Sequence, residues 1–505
     1  MALINSIISW VMKKRIYQIE FFLKYPHEVQ SDWFRKLIFN AQNTEWGKRY
    51  GYHSINSYED FKGRVPLQDY ESLKPFILDI KQGKHNVLWP GEVKWFAKSS
   101  GTSNDKSKFI PITQESLEEC HFKGGKDLLA LYFNSNPESK LFGGKTLSLG
   151  GSHKINSFSN DSYYGDLSSI LMQNLPFWIQ MFQTPDISVS LMDEWESKIQ
   201  KMAEITKDAN VTCLAGVPSW TMVLLKRVLE LTGKKTIHDV WPELELFVHG
   251  GVSFTPYRSQ FEQLIQNPKM NYLETYNASE GFFGIQDQNI NEGMLLMLDY
   301  GIFYEFIPMS AYVQGDLNAI SLDQVELNVN YAVVITSNGG LWRYLIGDTV
   351  MFTSVNPYRI KVSGRTTGFI NAFGEELMIS NAEKALNIAC SETGASIRDY
   401  TAAPVYMSNR SEGAHEWLIE FSHSPDNLDQ FVSLLDEALK KLNSDYEAKR
   451  YNNMALSKPM LRAVPEKTFY NWLKSKNKLG GQHKVPRLNN DRRIIDEILQ
   501  QIETV

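Results

Sequence analysis

The sequence predicts an α/β protein in which a large N-terminal domain, built on mixed sheets flanked by helices, precedes a smaller α+β C-terminal domain. Three observations carry this. Between 145 and 276, short apolar runs ending in glycine alternate with helical patterns, the arrangement of a sheet with helices on its faces. From Met294 to Val355 the pattern is mostly strands. Near Ser363-Gly364-Arg365 the character changes again, into a unit of about 140 residues, an ordinary domain size. The expected domains are 1–363 and 364–505.

Up to about residue 90 the chain reads as mostly helical, punctuated near its end by Pro66, Pro75 and Pro90. Leu3 to Met12 is apolar but too short to span a bilayer, and its basic cluster Lys13-Lys14-Arg15 follows the apolar run, the reverse of a secretory signal. Ile16, Ile19, Phe22 and Leu23 continue at helical spacing, so the stretch reads as an amphipathic helix packed on the protein. The expectation is a cytoplasmic protein without an integral membrane segment. Val93 to Ala97 reads as a strand, and a helix is expected from Thr113 to about Phe133. Strands follow at Lys145 to Gly151, Val211 to Gly216, Leu244 to Gly251 and Tyr272 to Tyr276. Helices are expected at Asp166 to Phe182, from Pro218 to about Leu231, and after Pro256. Ligands of such sheets bind at strand carboxyl ends, so Gly150, Gly216, Gly250 and Tyr276 are expected to face one cleft. In the smaller domain, Phe369 to Leu377 reads as strand–turn–strand, and Ser380 as a helix cap with Glu383 closing a capping box. Strands at Val405 to Met407 and Trp417 to Phe421 and a helix from Asp426 to Leu442 complete it.

The 505 residues are 43% hydrophobic and 22% charged, a globular balance with ample core material. A net charge of −6 provides no basic field for nucleic acid. Cys120, Cys213 and Cys390 are too far apart to form a metal or redox pair by spacing and read as buried free thiols. No signal for oligomerisation is present, and a monomer is the expectation.

The stretch Ser99-Ser100-Gly101-Thr102-Ser103-Asn104-Asp105-Lys106-Ser107-Lys108 follows the Val93 strand. Hydroxyls and free backbone N–H groups donate to phosphate oxygens, glycine admits close approach, and lysine supplies charge. It is not a Walker loop, and the same composition also makes an ordinary solvated turn. Three further segments follow in order: Tyr276-Asn277-Ala278-Ser279-Glu280-Gly281, then Arg343-Tyr344-Leu345-Ile346-Gly347-Asp348, then Gln482-His483-Lys484-Val485-Pro486-Arg487 in a basic tail.

This order resembles the adenylate-forming superfamily, and within it the Gretchen Hagen family of acyl-acid amido synthetases, over roughly 90 to 490. Asp105 and Ser107 depart from the glycine and proline usual in plant members. The resemblance implies an enzyme that uses ATP and Mg²⁺ to convert a carboxylic acid to acyl-AMP, then passes the acyl group to an amino acid. An acyl-CoA ligase sharing the first step, and a non-catalytic nucleotide-binding protein, are the competing readings. It further implies that Ser99, Ser100, Gly101, Thr102 and Ser103 hold phosphates and that Glu280 is the Mg²⁺ ligand. Ser279 is then expected beside the α-phosphate, with Asn277 and Ala278 in the same ATP-binding motif. Tyr276 is an adenine-stacking face or an ordinary core aromatic. Gly250 and Gly251 let adenine approach the backbone. Asp348 accepts from the ribose hydroxyls, Arg365 contacts ribose or phosphate, and Lys484 is the catalytic lysine. In that superfamily the small domain is mobile, which places a hinge at Gly364-Arg365. Phe177, Trp178, Phe182, Trp220, Phe282 and Phe283 are candidates for an apolar acid pocket, each equally at home in a core.

Overall fold

A computed structural model describes residues 14–503 except 101–106, 151–154, 159–160, 193–194, 252–253, 255–256, 289–292, 313, 367, 407–411, 452–454 and 477–484. The apolar run Leu3 to Met12 therefore lies outside the described residues. Two compact units make up the chain, with the main change of unit between Thr366 and Thr367. Among the described residues no helix is long and apolar enough to cross a membrane.

The first unit is organised by a twelve-stranded sheet. Its first half is parallel: Gln183–Thr184, Lys145–Leu149, Val211–Gly216, Leu246–Gly250 and Asn271–Ala278 lie side by side. At Asn271–Ala278 the sheet switches. Gly281–Ile285 returns antiparallel beside it, followed by Met294–Leu296, Tyr358–Arg365, Tyr344–Val355, Asn330–Ser337, Ile302–Pro308 and Ile320–Ser321. A separate four-stranded sheet carries Trp95–Ser100 next to Ser107–Ile112.

Parallel pairing explains why the expected strand ends meet. Leu149 lies opposite Gly216, Gly216 opposite His249, and Gly250 opposite Thr275, so these carboxyl ends line one edge.

The N-terminal helices pack on the antiparallel half. Pro26–Ala41 docks through buried Gln30, whose amide donates to the Leu298 and Ile302 carbonyls at 2.9 Å and accepts from Tyr304 N at 3.0 Å. The helical residues 14–24 are tied down by Arg15, which donates to Asp127 at 2.6 Å and to Asp299 at 2.9 and 3.0 Å. Tyr300 Oη donates to Asp127 at 2.7 Å, and Lys123 Nζ to the Asp299 carbonyl at 2.6 Å.

Several elements differ from the sequence-based expectation. Pro75 lies inside the helix Tyr70–Lys81 instead of ending a helical stretch. Reciprocal bonds between Asp69 and Ser72 cap that helix, and buried Leu73, Ile77 and Ile80 hold it against the one hydrogen bond that proline removes. The Thr113 helix forms with Thr113 as its cap, but Leu117–Phe122 is a π-helical turn between α-helical pieces. The expected single helix from Asp166 to Phe182 is two pieces, Leu167–Gln173 and Phe177–Gln180, separated ahead of Pro176, which disfavours helix at the residue before it.

In the second unit, Ser396–Val405 pairs antiparallel with Ala414–His423, which pairs parallel with Met460–Ala463. Helices Ile379–Thr393 and Leu428–Leu442 pack together. Ser380 is not a cap. The helix begins at Ile379, and Asn381 Oδ1 accepts from Met378 N at 3.1 Å, doing the work assigned to Ser380 and Glu383. Phe369–Ile370 and Leu377–Met378 form the expected strand–turn–strand. Its turn is organised by fully buried Glu375, which accepts from Phe373 N at 2.6 Å and meets His415 Nε2 at 2.7 Å.

Candidate nucleotide site

Glu280 stands at the tip of a two-residue hairpin, Ser279-Glu280, where Ala278 pairs with Gly281 at the switch from parallel to antiparallel strands. Gly281 lets the strands pack closely there: a Cβ would meet Ile302 Cδ1 at 2.9 Å and Phe283 Cε1 at 3.0 Å. The hairpin thus places Glu280 at the edge where the parallel strands end. Removal from water raises the Glu280 pKa; Lys108 and Arg365 oppose that rise, and Asp348 adds to it. Lys108 is the leading favourable charge. It follows the Ser99 loop directly and holds Nζ 5.8 Å from the centroid of the Tyr70 ring.

Asp348 is buried, and both of its oxygens are engaged. Tyr276 Oη donates to Oδ2 at 2.7 Å, and Arg365 Nε to Oδ1 at 2.8 Å. The register dictates the second contact, since Asp348 lies opposite Arg365 across the two long antiparallel strands. Gly347 adopts φ +89° just before it, and the Gly347 carbonyl accepts from Thr366 N at 2.8 Å. A carboxylate offers about four lone-pair positions, so Asp348 can hold both partners and still accept from a hydroxyl pair.

The ring of Tyr276 is buried 4.9 Å from that of Phe283. Burial, with Asp348 next, pushes its phenol far above the usual value, so it remains a donor. Asn277 is exposed, and Ala278 and Ser279 are half-buried at the same tip. Gly250 admits its neighbour: a Cβ there would meet the Thr275 carbonyl oxygen at 2.5 Å. Gly251 is needed for its backbone, at φ +80°. Ser99 and Ser100 close the strand Trp95–Ser100.

Of the sequence-derived candidates, the structure gathers Tyr276, Glu280, Asp348 and Arg365 into one cluster, beside the hairpin residues Asn277 to Ser279 and the strand end of Gly250. Gly101, Thr102, Ser103 and Lys484 lie outside the described residues, as does the strand-end Gly151. Phe282 and Phe283 are core residues, with Phe282 seated against Gly124, where a Cβ would sit 2.5 Å from its ring. Sequence reasoning gave neither Lys108 nor Tyr344 a role of its own, although both stand inside the motifs. Tyr344 is fully buried, and its Oη meets no hydrogen-bonding partner among the described residues. Arg343 is not at the site. Its guanidinium is buried on Glu305, with Nη2 to Oε1 at 2.8 Å.

A metal fits this donor set. Mg²⁺ is commonly held by one or two carboxylates together with phosphate oxygens, and Glu280 offers one carboxylate whose desolvated charge a cation would relieve.

Three family models match consecutive stretches: the GH3 family N-terminal domain over 15–270, its central domain over 295–365 and its C-terminal domain over 380–493. Among curated relatives, the indole-3-acetic acid-amido synthetase GH3.3 of Arabidopsis thaliana is 23% identical, covering 91% of this chain and 89% of its own. The jasmonoyl–L-amino acid synthetase GH3.5 of Oryza sativa subsp. japonica is 23% identical over 95% of each chain. The Arabidopsis 4-substituted benzoates-glutamate ligase GH3.12 is 22% identical over 91% and 92%. The fold is similar to the AtGH3.15 acyl acid amido synthetase solved with 2,4-DB, at TM-score 0.62, 16% identity and coverage of 97% and 96%. It is also similar to a 2-hydroxyisobutyryl-CoA ligase solved with 2-HIB-AMP and CoA, at TM-score 0.56, 13% identity and coverage of 95% and 93%.

Proposed function

The chain belongs to the GH3 family, and from that premise we propose that it is an ATP-dependent ligase joining a carboxylic acid to an amino acid through an acyl-adenylate. In the first half-reaction a carboxylate oxygen attacks the α-phosphorus of ATP and pyrophosphate leaves. In the second, the amino group attacks the acyl carbon and AMP leaves. The observation that carries this reading is the cluster of Tyr276, Asp348 and Arg365 beside Glu280 at the strand ends, in a chain matched by all three family domains.

Each residue has a physical task. Asp348, held in place by Tyr276 and Arg365, accepts from the ribose hydroxyls. Arg365, at the end of its strand, lends positive charge to ribose or phosphate. Glu280 holds Mg²⁺, which when bound offsets phosphate charge. Ser279 and the hydroxyls of Ser99, Ser100, Thr102 and Ser103 donate to phosphate oxygens, with Gly101 admitting them to the backbone. Lys484 supplies a cation between the two anions as they meet, an electrostatic task that grows toward the transition state. Gly250 and Gly251 leave room for the base. The second unit turns between half-reactions, with the hinge at Gly364-Arg365.

ATP–pyrophosphate exchange with Mg²⁺ and a panel of aryl and alkyl acids tests the proposal. Exchange that depends on one class of acid is the expected result, followed by amide formation on adding amino acids. Thioester formation with CoA in place of amide would establish the acyl-CoA ligase reading. Clear ATP binding without exchange for any acid would overturn both. Lys484→Ala is expected to fold and to lose most exchange; unchanged exchange removes it from the mechanism.

A further inference from the structure

The second unit holds a cavity of about 440 Å³ that shares no residue with the nucleotide cluster. One wall is the helix Ile379–Thr393, where Glu383, Leu386, Asn387 and Cys390 recur at the three- and four-residue spacing that puts them on one face. The strand Ser396–Val405 supplies Ile397 and Tyr400. Arg487 completes the lining. Its backbone is fixed along that strand: Ala402 N donates to the Arg487 carbonyl at 2.9 Å, and Asn489 N to the Ala402 carbonyl at 3.0 Å.

The polar groups around this space are not spent on one another. The Arg487 guanidinium lies over the Tyr400 ring, 4.7 Å from its centroid. Its Nη1 donates to Asp399 and to the Tyr400 carbonyl. Nε and Nη2, a paired edge that fits a carboxylate, make no hydrogen bond among the described residues. Tyr400 is buried, and its Oη has no partner among the described residues, an exception that calls for an explanation. Glu383 and Asn387 are exposed, and neither side chain makes a hydrogen bond or ion pair among the described residues. Burial lowers the Arg487 pKa and raises that of the Tyr400 phenol, and the Glu383 charge acts on both.

The charges decide the class of ligand. Arg398 is paired with Glu466 and Glu420, and Asp399 with Arg487. One donor edge on Arg487 and one carboxylate on Glu383 are left over. An anion alone would meet Glu383, and a cation alone would meet Arg487. A molecule carrying both charges answers both, and Leu386 and Ile397 offer it apolar surface.

We propose that this cavity binds a free amino acid with an apolar side chain. Arg487 takes the carboxylate through its open edge, Tyr400 donates to the same group, and Glu383 receives the ammonium. The site goes beyond the ligase reading, because its residues serve it whether or not the chain adenylates an acid.

Calorimetry on the full chain with L-leucine and L-phenylalanine, without ATP or acid, tests the proposal independently of that reading. Both are expected to bind. Leucinamide and N-acetyl-leucine, each lacking one charge, should bind about tenfold more weakly than L-leucine, the scale of one hydrogen bond to a charged group. Arg487→Lys keeps the charge but not the fork, and should weaken L-leucine by about the same factor. Glu383→Gln, at an exposed position where folding is not at stake, should remove the discrimination against N-acetyl-leucine. Cys390 reports the location, since it is half-buried while Cys120 and Cys213 are buried. Bound L-leucine should slow its alkylation by iodoacetamide, read by peptide mass spectrometry. No binding of either amino acid at millimolar concentration would overturn the proposal. So would binding that both substitutions leave unchanged, or that leaves Cys390 alkylation unchanged, because the amino acid is then held elsewhere.

Discussion

Arg343 sits in the left-handed region at φ +44°, with a buried guanidinium bonded to Glu305 and to the Val65 carbonyl at 2.8 Å. Tyr58 Oη donates to the same carboxylate at 2.9 Å. Every charge here is answered, so removing one partner strands the other. Glu305→Gln is expected to cost about 3–5 kcal/mol in denaturant unfolding of the first unit. Tyr276→Phe removes a donor from Asp348 without emptying space, and should weaken ATP binding about fivefold to tenfold by calorimetry. Neither role was written in the local sequence. Glu305 is 38 residues from Arg343, and no spacing rule joins a strand to a motif at that distance. His121 is a titrating residue of the same kind. It is buried on the π-helical turn, and burial lowers its pKa from 6.5 to about 4. The unfolded chain therefore binds a proton below about pH 6.5 that the folded chain refuses until about pH 4. Stability from this group is full above 6.5 and is lost as pH falls toward 4. Denaturant titrations at pH 7 and 4.5 should show a loss about 2–3 kcal/mol smaller in His121→Met than in the parent.

Among elements, the parallel strands were legible because apolar runs ending in glycine state both their pattern and their end. Val211 to Gly216 matched the observed strand residue for residue, and the helix after it opens at Pro218 as expected. Caps were less legible. Ser380 and Glu383 fit a capping pattern, yet Asn381 makes the bond, because the preceding strand Leu377–Met378 carries the chain into the helix two residues earlier. Strand-end glycines allow a direct test of packing. Gly250→Ala would place a methyl 2.5 Å from the Thr275 carbonyl oxygen, between two paired strands that cannot both move. A loss of about 1–3 kcal/mol is expected in thermal or denaturant unfolding, the range for overpacking. ATP affinity should fall with it, since Thr275 directly precedes Tyr276. Gly347→Ala meets nothing within 4 Å, so any cost there comes from the positive φ alone and should be smaller.

At the scale of the molecule, the sheet-with-helices fold and the smaller α+β unit were readable from pattern, and the family from four short motifs in order. The buried Arg15 cluster was not readable, because its acids are 112 and 284 residues away and only folding brings them to the helix. Arg15→Ala would leave Asp127 buried without its main counter-charge and is expected to cost about 3–5 kcal/mol in unfolding. The same cluster sets a timetable. The segment around Arg15 is made first, but Asp299 follows 284 residues later, which at ordinary rates of synthesis is roughly 15 to 60 s. Over that interval the helical residues 14–24 can meet Asp127 but lack the second carboxylate of their anchor, Asp299. A growing chain released before Asp299 should therefore be cut by protease near residues 14–24, and one released after it should be protected there.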